Sequence, residues 1–100
     1  MTTITRTSYL SGTVGATPVI IDCFTITAPV SVTVIPGSGN TSSVETTTSM
    51  NAVADPSNAV WLAWPSGTVN AATRNVSMGR LTAIRFTRVS GTSTDSYEVA

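Results

Sequence analysis

The segment VSVTVIPGSGNTSSVETTTS, residues 30–49, decides the fold class of this chain. Valine alternates with serine or threonine over residues 30–35, and a period of two is typical of a β-strand with one buried face. The Pro-Gly-Ser-Gly-Asn sequence at 36–40 is a strong turn signal, and the mostly polar run 41–49 is predicted to return as a second strand. We interpret the whole segment as a β-hairpin.

Two further strands are predicted before this segment. Residues 4–10 alternate weakly and are followed by Gly12 and Gly15, which predict a turn. The run PVIIDCFTIT at 18–27 is apolar on both faces up to Phe24. A strand that is apolar on both faces is typical of the centre of a sheet, and we place this strand there.

The second half of the chain predicts three or four more strands. They are expected at 59–64, at 81–89 and at 96–100, where the last strand returns beside the preceding one as a terminal hairpin, and residues 68–80 hold either a short strand around 74–78 or none. Segments with helical periodicity are almost absent, and threonine and valine dominate.

Seven or eight short strands at intervals of roughly ten residues predict an all-β fold. We therefore expect one domain over residues 1–100, an antiparallel β-sandwich or barrel that is jelly-roll-like or immunoglobulin-like. Residues 1–10 are expected to form an N-terminal arm or an edge strand.

The composition is poor in charge and rich in hydroxyl groups. The 100 residues carry five arginines, three aspartates and two glutamates, with no lysine or histidine, against 19 threonines and 13 serines. This charge density is less than half of the roughly 25% that is usual in globular proteins. Neutral balance argues against a nucleic-acid partner, which requires a basic face. A surface with so few charges suggests that much of it is covered by other proteins.

The residues that usually perform catalysis or bind metals are scarce. Cys23 lies in an apolar run and is predicted to be a buried, inert thiol. Asp22 and Glu45 lie on strands that could be neighbours, but we interpret them as isolated carboxylates. Gly37 and Gly39 match only the start of a phosphate-binding loop. We therefore predict no enzyme activity, no catalytic residues, no cofactor and no metal.

The tryptophans differ by three positions, so they should point to opposite faces of their strand. If Val60, Leu62 and Trp64 face the core, Trp61 faces outward, where it either contacts a partner or is covered by a neighbouring loop. Tryptophan is enriched at the energetic centres of interfaces.

The same parity places Arg85 and Arg88 on opposite faces, so that one caps the end of the core and the other contacts a partner. Together with Arg80 they form a closely spaced trio near the C-terminus. The predicted partner-interface residues are Trp61, Trp64, Arg80, Arg85, Arg88 and Tyr97.

Three segments carry a resemblance to a known group of proteins. VSVTVIPGSGNT (30–41), AVWLAWPSGTVNAAT (59–73) and LTAIRFTRVSGTSTDSYEV (81–99) resemble, in this order, small virion-associated proteins of tailed bacteriophages. The resemblance covers roughly the last three-quarters of the chain. It implies a structural virion protein, a decoration or cement protein that binds the major capsid protein on the outer surface of the phage head.

The resemblance also implies self-association, as a dimer or trimer. The expectation is that the terminal hairpin and the Trp61 face are buried between subunits or on the shell. The first residues do not predict a signal peptide, and no apolar run is long enough to span a membrane. We therefore expect synthesis in the host cytoplasm and no membrane partner.

Two other functions remain open at the level of sequence. A tail-fibre or other tail-appendage module would bind a host receptor or glycan through Trp61 and the serine- and threonine-rich loops. A small enzyme built on Asp22 and Glu45 has the least support.

Overall fold

The computed structural model describes residues 9–23 and 25–100. Within these residues the regular elements are strands, apart from one 3-10 turn at Pro56–Asn58. The strands are β1 (Leu10–Val14), β2 (Val19–Asp22), β3 (Val30–Ile35), β4 (Thr41–Thr47), β5 (Leu62–Ala63), β6 (Thr73–Ser77), β7 (Ala83–Ser90) and β8 (Asp95–Val99). The all-β prediction is confirmed. Most of the first predicted strand, at 4–10, lies outside the described residues.

The strands form two four-stranded antiparallel sheets that pack as a sandwich. Sheet A has the order β1-β8-β3-β6, and sheet B has the order β2-β7-β4-β5. Four of the pairs, β1–β8, β2–β7, β3–β6 and β4–β5, join strands whose numbers sum to nine, and the pairs β3–β8 and β4–β7 complete the two sheets. The chain is therefore one antiparallel ribbon, folded back between β4 and β5 and rolled up, which is a jelly roll.

The core lies between the sheets and follows the predicted alternation. Val30, Val32 and Val34 of β3 are buried, and so are Ile84 and Phe86 of β7. These side chains lie on one face of each strand, because successive residues point to opposite faces of a sheet. The hydrophobic period in the sequence thus specifies which side of β3 and of β7 is inside.

The predicted hairpin over 30–49 is wrong in its pairing. Both strands form where expected, but β3 belongs to sheet A and β4 to sheet B. The turn at 36–40 therefore carries the chain from one sheet to the facing one, and Val34 and Val44 join a common core across the sandwich. The predicted terminal hairpin fails in the same way, since β7 lies in sheet B and β8 in sheet A.

Two other local predictions need correction. Strand β2 is an edge strand of four residues and not the centre of a sheet; Val19 and Ile21 pack against the core while Ile20 lies half-buried on the other face. Gly12 lies inside β1 and not in a turn, opposite Tyr97. A β-carbon on Gly12 would overlap the Tyr97 ring, so the glycine makes room for a core aromatic side chain.

Candidate functional site

Three side chains form a cluster on the outer face of sheet B. Arg85 of β7 lies directly opposite Glu45 of β4. The Glu45 Oε1 atom is 2.8 Å from Arg85 Nη2 and accepts a hydrogen bond from Arg85 Nε at 3.0 Å. The Arg85 guanidinium carbon lies 4.5 Å from the centroid of the Trp61 ring. Trp61, Arg85 and Glu45, hereafter the Trp61 cluster, are thus prearranged by an ion pair and a cation–π contact.

The loop before β5 fixes the Trp61 ring. The indole N–H of Trp61 donates a hydrogen bond to the Pro56 carbonyl oxygen at 2.9 Å, and the side chain is half-buried. The loop therefore covers one edge of the ring, as one of the two alternatives predicts, while the residue keeps partial exposure and its contact with a partner stays a prediction. Trp64 points to the opposite face, as predicted, and its indole N–H donates to the Gly67 carbonyl oxygen at 2.6 Å.

The structure brings together only two of the predicted interface residues, Trp61 and Arg85. Trp64 and Tyr97 are core residues with 3% and 8% exposure, so their prediction as contact residues is corrected. Tyr97 stacks on Phe86 with ring centroids 4.6 Å apart, which uses its ring for packing between the sheets. Both residues are buried because a small core gains much of its stability from the large apolar area of aromatic side chains.

Arg88 and Arg80, the other two arginines of the predicted interface, lie at opposite ends of the sandwich. Arg88 extends from the inner face of β7, and its Nη1 atom donates to the Ser93 carbonyl oxygen at 2.9 Å. It therefore caps one end of the core, as predicted for one of the two parity-related arginines. Arg80 is exposed at the other end, beside a hollow also lined by Met50 and Leu81.

Apolar side chains are exposed along the flank where β5 and β6 form the sheet edges. Val60 and Leu62 are each 66% exposed, which corrects their predicted place in the core. The reason is that β5 has only two residues at the edge of sheet B, beyond the cover of sheet A. Val76 of β6 and the following Met78 are also exposed, at 52% and 78%.

A shallow groove lies on the outer face of sheet A. It encloses about 250 Å³ and is lined by Tyr9, Ser31, Thr33, Arg74, Glu98 and Ala100. The Tyr9 hydroxyl donates to Glu98 Oε2 at 2.7 Å, and this bond, with some burial and the charge of Glu98, raises the pKa of Tyr9. Arg74 Nε donates to Thr33 Oγ1 at 2.8 Å.

Sequence reasoning missed a buried carboxylate at the end of the sandwich that holds Arg88. Asp95 is 1% exposed. Its Oδ1 atom accepts hydrogen bonds from Asn40 Nδ2 at 2.7 Å and from the Gly37 N–H at 2.8 Å, and its Oδ2 atom accepts one from Ser42 at 2.5 Å. Burial alone would raise the pKa of Asp95, but these bonds and the charge of Arg88 hold it below its usual value.

This network joins the two turns that cross between the sheets. Asn40 ends the 36–40 turn, and its Nδ2 atom also donates to the Ser93 carbonyl oxygen at 2.7 Å. The only sequence signal was an asparagine and an aspartate in two distant turns, with nothing to link them. The arrangement is structural, since each Asp95 oxygen is already engaged within the chain.

The structure also places Asp22, Glu45 and Cys23, which the sequence analysis considered for chemistry. Asp22 and Glu45 lie on the two strands that flank β7, but Glu45 is engaged by Arg85. Cys23 is fully buried, and burial, with a contribution from Asp22, raises the pKa of its thiol to about 12. Among residues 9–23 and 25–100, no group of three metal-ligating side chains comes together.

Comparisons with known proteins give no relative for this chain. No family model, curated protein or solved structure matches it. A search of the described part of the chain for a helix capable of crossing a membrane finds none.

Proposed function

We propose that this chain is a bacteriophage head decoration protein, which binds the major capsid protein on the outside of the shell as an oligomer and stabilises it. The observation that carries the proposal is the resemblance of three segments, in order, to small virion-associated phage proteins. The jelly roll is compatible with this role, because the fold is used by viral capsid domains, although lectin domains use it too.

The surface supports a role in protein contacts. Large apolar side chains are exposed along the β5 and β6 flank, while the whole chain carries only ten charges. Exposed apolar surface on a chain with little charge favours association with other proteins. Such a surface is suited to a subunit whose surface is largely buried against other proteins in its functional state.

The Trp61 cluster is the proposed contact with the shell. Tryptophan and arginine are the residues most enriched at interface hot spots. The Trp61 ring is already held by Pro56 and Arg85, so little side-chain freedom is lost when a partner covers it. Glu45 balances the Arg85 charge within the same subunit, so the partner does not have to supply a counter-charge.

Stabilisation would follow from mass action. A protein that binds the assembled shell, and does not bind its dissociated or unexpanded form, lowers the free energy of the assembled state by an amount that grows with occupancy. This mechanism requires no chemical step.

The first test is the copy number of this chain in purified particles, with its position found by electron microscopy. Decoration predicts several hundred copies on the head, whereas a portal, tail or fibre component would be present in about a dozen copies or fewer. The heads of particles from a deletion mutant should break open at a lower temperature than normal heads, and also in the presence of a chelator. Equal resistance of the deletion particles would overturn the proposal.

A binding test addresses the Trp61 cluster directly. Trp61→Ala should reduce the affinity of the purified protein for undecorated shells by about tenfold or more, the loss of 1.4 kcal/mol or more typical of a hot spot. Met50→Ala, which truncates an 80% exposed side chain at one end of the sandwich, is the matched control and should bind normally. Equal binding by both variants would remove the cluster from the contact.

A tail-appendage module that binds a receptor or glycan is the second candidate. The groove lined by Tyr9, Ser31, Thr33, Arg74 and Glu98 favours it, because it offers an aromatic ring beside several hydrogen-bonding groups. Under this hypothesis the isolated protein should inhibit adsorption of the phage to host cells. A Tyr9→Ala variant should then lose the inhibition, and absence of inhibition by the unaltered protein would exclude the candidate.

A further inference from the structure

We infer that copies of this chain join edge to edge, with β6 of one copy adding to β1 of the next, so that sheet A continues from subunit to subunit. The inference deepens the proposed function by naming the surfaces through which copies associate. Only the surface that the joined copies would cover, the phage shell, rests on the proposed function; the association between copies does not. The argument uses the open edges, the strand directions and the side chains that meet.

Both edges of sheet A are open within the described structure. β1 pairs only with β8, and β6 pairs only with β3. Natural sheet edges are usually protected by charges, prolines or bulges. The sequence of β1, LSGTV, has no charge and no proline, and its pairing with β8 is continuous. This edge is therefore suited to pairing with another strand.

The strand directions match in polarity when the second copy is displaced sideways and turned about the line joining the copies, so that it follows the sheet twist. The four strands of sheet A are antiparallel to their neighbours, so β1 and β6 run in opposite directions. A neighbour displaced sideways and turned by the twist accumulated across one sheet would therefore place its β1 antiparallel to β6. In such a pair β6 (Thr73–Ser77) lies alongside the first residues of β1 and Tyr9 before it.

The hydrogen-bonding groups are also in phase. Ser31 and Ala100 exchange both backbone hydrogen bonds, at 2.7 and 3.0 Å, which turns the polar groups of Ser31 toward β8. Because these groups alternate along an antiparallel strand, those of Val32 point to β6 and bond with Asn75, its register partner. The N–H and C=O groups of Arg74 and Val76 consequently point to the open edge, and the Arg74 carbonyl oxygen, which accepts a hydrogen bond from Asn75 Nδ2 at 2.9 Å, keeps a second lone pair for a neighbour.

The same alternation applies at the other edge. Glu98 faces Thr33 as a hydrogen-bonded pair, so Ser11, which lies opposite Glu98 on β1, directs its backbone groups away from β8. Tyr9 is two residues before Ser11 and has the same phase. Side-by-side copies would therefore pair Arg74 with Ser11 and Val76 with Tyr9 of the neighbour, each as a hydrogen-bonded pair.

The side chains that meet in this register are complementary. Val76 and Tyr9 are 52% and 48% exposed and lie in the same cross-strand row of the outer face, at opposite edges. In the joined sheet each would cover the other, as aromatic and β-branched pairs do between neighbouring strands. Two exposed apolar groups would thus be removed from water by one contact.

The same register also determines which charged side chains lie near the junction. One row across sheet A consists of Ser11, Glu98, Thr33 and Arg74. Arg74 lies at the β6 edge and, within the described part of the chain, hydrogen-bonds Thr33 but has no carboxylate partner. Across the junction the neighbour's Glu98 would be two strand spacings away, about 10 Å between backbones, as Glu98 of the same chain is, so the junction places Arg74 midway between two carboxylates.

Sedimentation velocity of the full chain, without shells, tests the association. The protein should associate reversibly as its concentration rises. Val76→Glu should weaken this association by about tenfold or more, because it places a carboxylate in the strand pair. Val53→Glu is the matched control, a valine of similar exposure (46%) outside the strands, and should associate normally. A protein that stays monomeric at millimolar concentration, or equal effects of the two variants, would overturn the inference.

Cysteine cross-linking tests the register and the head-to-tail geometry. Ser11→Cys and Arg74→Cys are purified separately, with Cys23 left in place because it is fully buried. Opposed residues in a hydrogen-bonded strand pair have Cα atoms about 5.5 Å apart, within the range for a disulfide. Oxidation should link the mixture of the two variants and neither variant alone. Cross-linking of Arg74→Cys alone would instead show two β6 strands related by a two-fold axis.

Failure of this junction can be distinguished from failure of the proposed function. The solution experiments contain no shell, so their outcome concerns only contacts between copies. Binding of the Val76→Glu variant to undecorated shells, measured separately, then shows whether single subunits still attach through the Trp61 cluster. A variant that binds shells but does not associate would leave decoration intact without lateral contacts.

Discussion

At the scale of single residues, the polar network around Asp95 determines how one end of the sandwich is held. The carboxylate lies inside the fold and is stabilised by hydrogen bonds from the 36–40 turn and from Ser42 of β4, and by the charge of Arg88. Replacing one partner of such a group leaves the others buried and unsatisfied, which costs more than the original contact contributes.

Asp95→Asn should lower the free energy of unfolding by about 3 kcal/mol at pH 7. The pKa of Asp95 is lower in the folded state, so its contribution is present above the pKa of the unfolded chain, about 3.9, and is lost as the pH falls through the folded value. The variant should therefore lose less stability than the original between pH 5 and pH 2. Urea denaturation across this range measures both effects, with Asp55→Asn, at an exposed turn, as the control.

Gly12→Ala should destabilise the fold by about 1–3 kcal/mol, because the added methyl group overlaps the Tyr97 ring, which stacking on Phe86 holds in place. Gly15→Ala, where nothing lies within 4 Å of an added β-carbon, should be close to neutral. Thermal unfolding of the two variants compares them. Equal melting temperatures would mean that the Tyr97 ring shifts without cost.

The Cys23 thiol should be unreactive toward a disulfide reagent at pH 8 in the folded protein, because its pKa is about 12 and the side chain is fully buried. In urea the same thiol should react at the rate of a free cysteine. The reaction rate as a function of urea concentration therefore reports opening of the fold near β2. Fast labelling without urea would contradict the burial.

At the scale of elements, local patterns predict which face of a strand is inside but not which strand pairs with which. The parity of Ile84 and Phe86, and of Trp61 against Trp64, follows from the period of two and is correct. The same parity could not reveal that Leu62 lies beyond the cover of the other sheet, because that depends on the position of β5 at an edge.

Turn composition was insufficient for the same reason. A Pro-Gly-Ser-Gly-Asn turn has the same local chemistry whether the next strand pairs with the previous one or faces it across a core. The choice depends on contacts such as that of Asn40 with Asp95, which are 55 residues apart. Of the candidate site, the sequence supplied Trp61 and Arg85, while their partner Glu45 had been considered only as a carboxylate near Asp22.

A proline pair tests the hydrogen-bond phase of β6. Asn75→Pro should cost roughly 2 kcal/mol more stability than Val76→Pro, because the Asn75 N–H bonds to β3 while that of Val76 points to the open edge. Asn75→Ala serves as the control for the side chain, whose Oδ1 atom accepts a bond from the Ser66 N–H. Chemical denaturation of the three variants provides the comparison, and the opposite ranking would exclude the proposed phase.

At the scale of the whole molecule, the low charge affects how binding responds to salt. The chain is formally neutral, Arg85 and Glu45 compensate each other, and Asp95 and Arg88 lie close together at one end. Long-range attraction to a charged partner therefore contributes little to association, and contact must depend on packing and short-range hydrogen bonds.

Binding to undecorated shells should accordingly change by less than about threefold between roughly 0.05 and 0.5 M NaCl, whereas a binder that neutralises several phosphates loses orders of magnitude. Equilibrium binding at several salt concentrations measures the slope. A steep decrease with salt would point to a charged partner and against the Trp61 cluster as the main contact.

The rolled ribbon also affects the order in which the molecule can be completed. β1 has no partner until β8 has been synthesised, because within the described structure β1 pairs only with β8, residues 10–14 with residues 95–99. A chain interrupted before residue 95 therefore lacks the support for the very edge through which copies are proposed to join. Truncated chains that arise from translation errors would thus be excluded from a growing assembly without any separate proofreading factor.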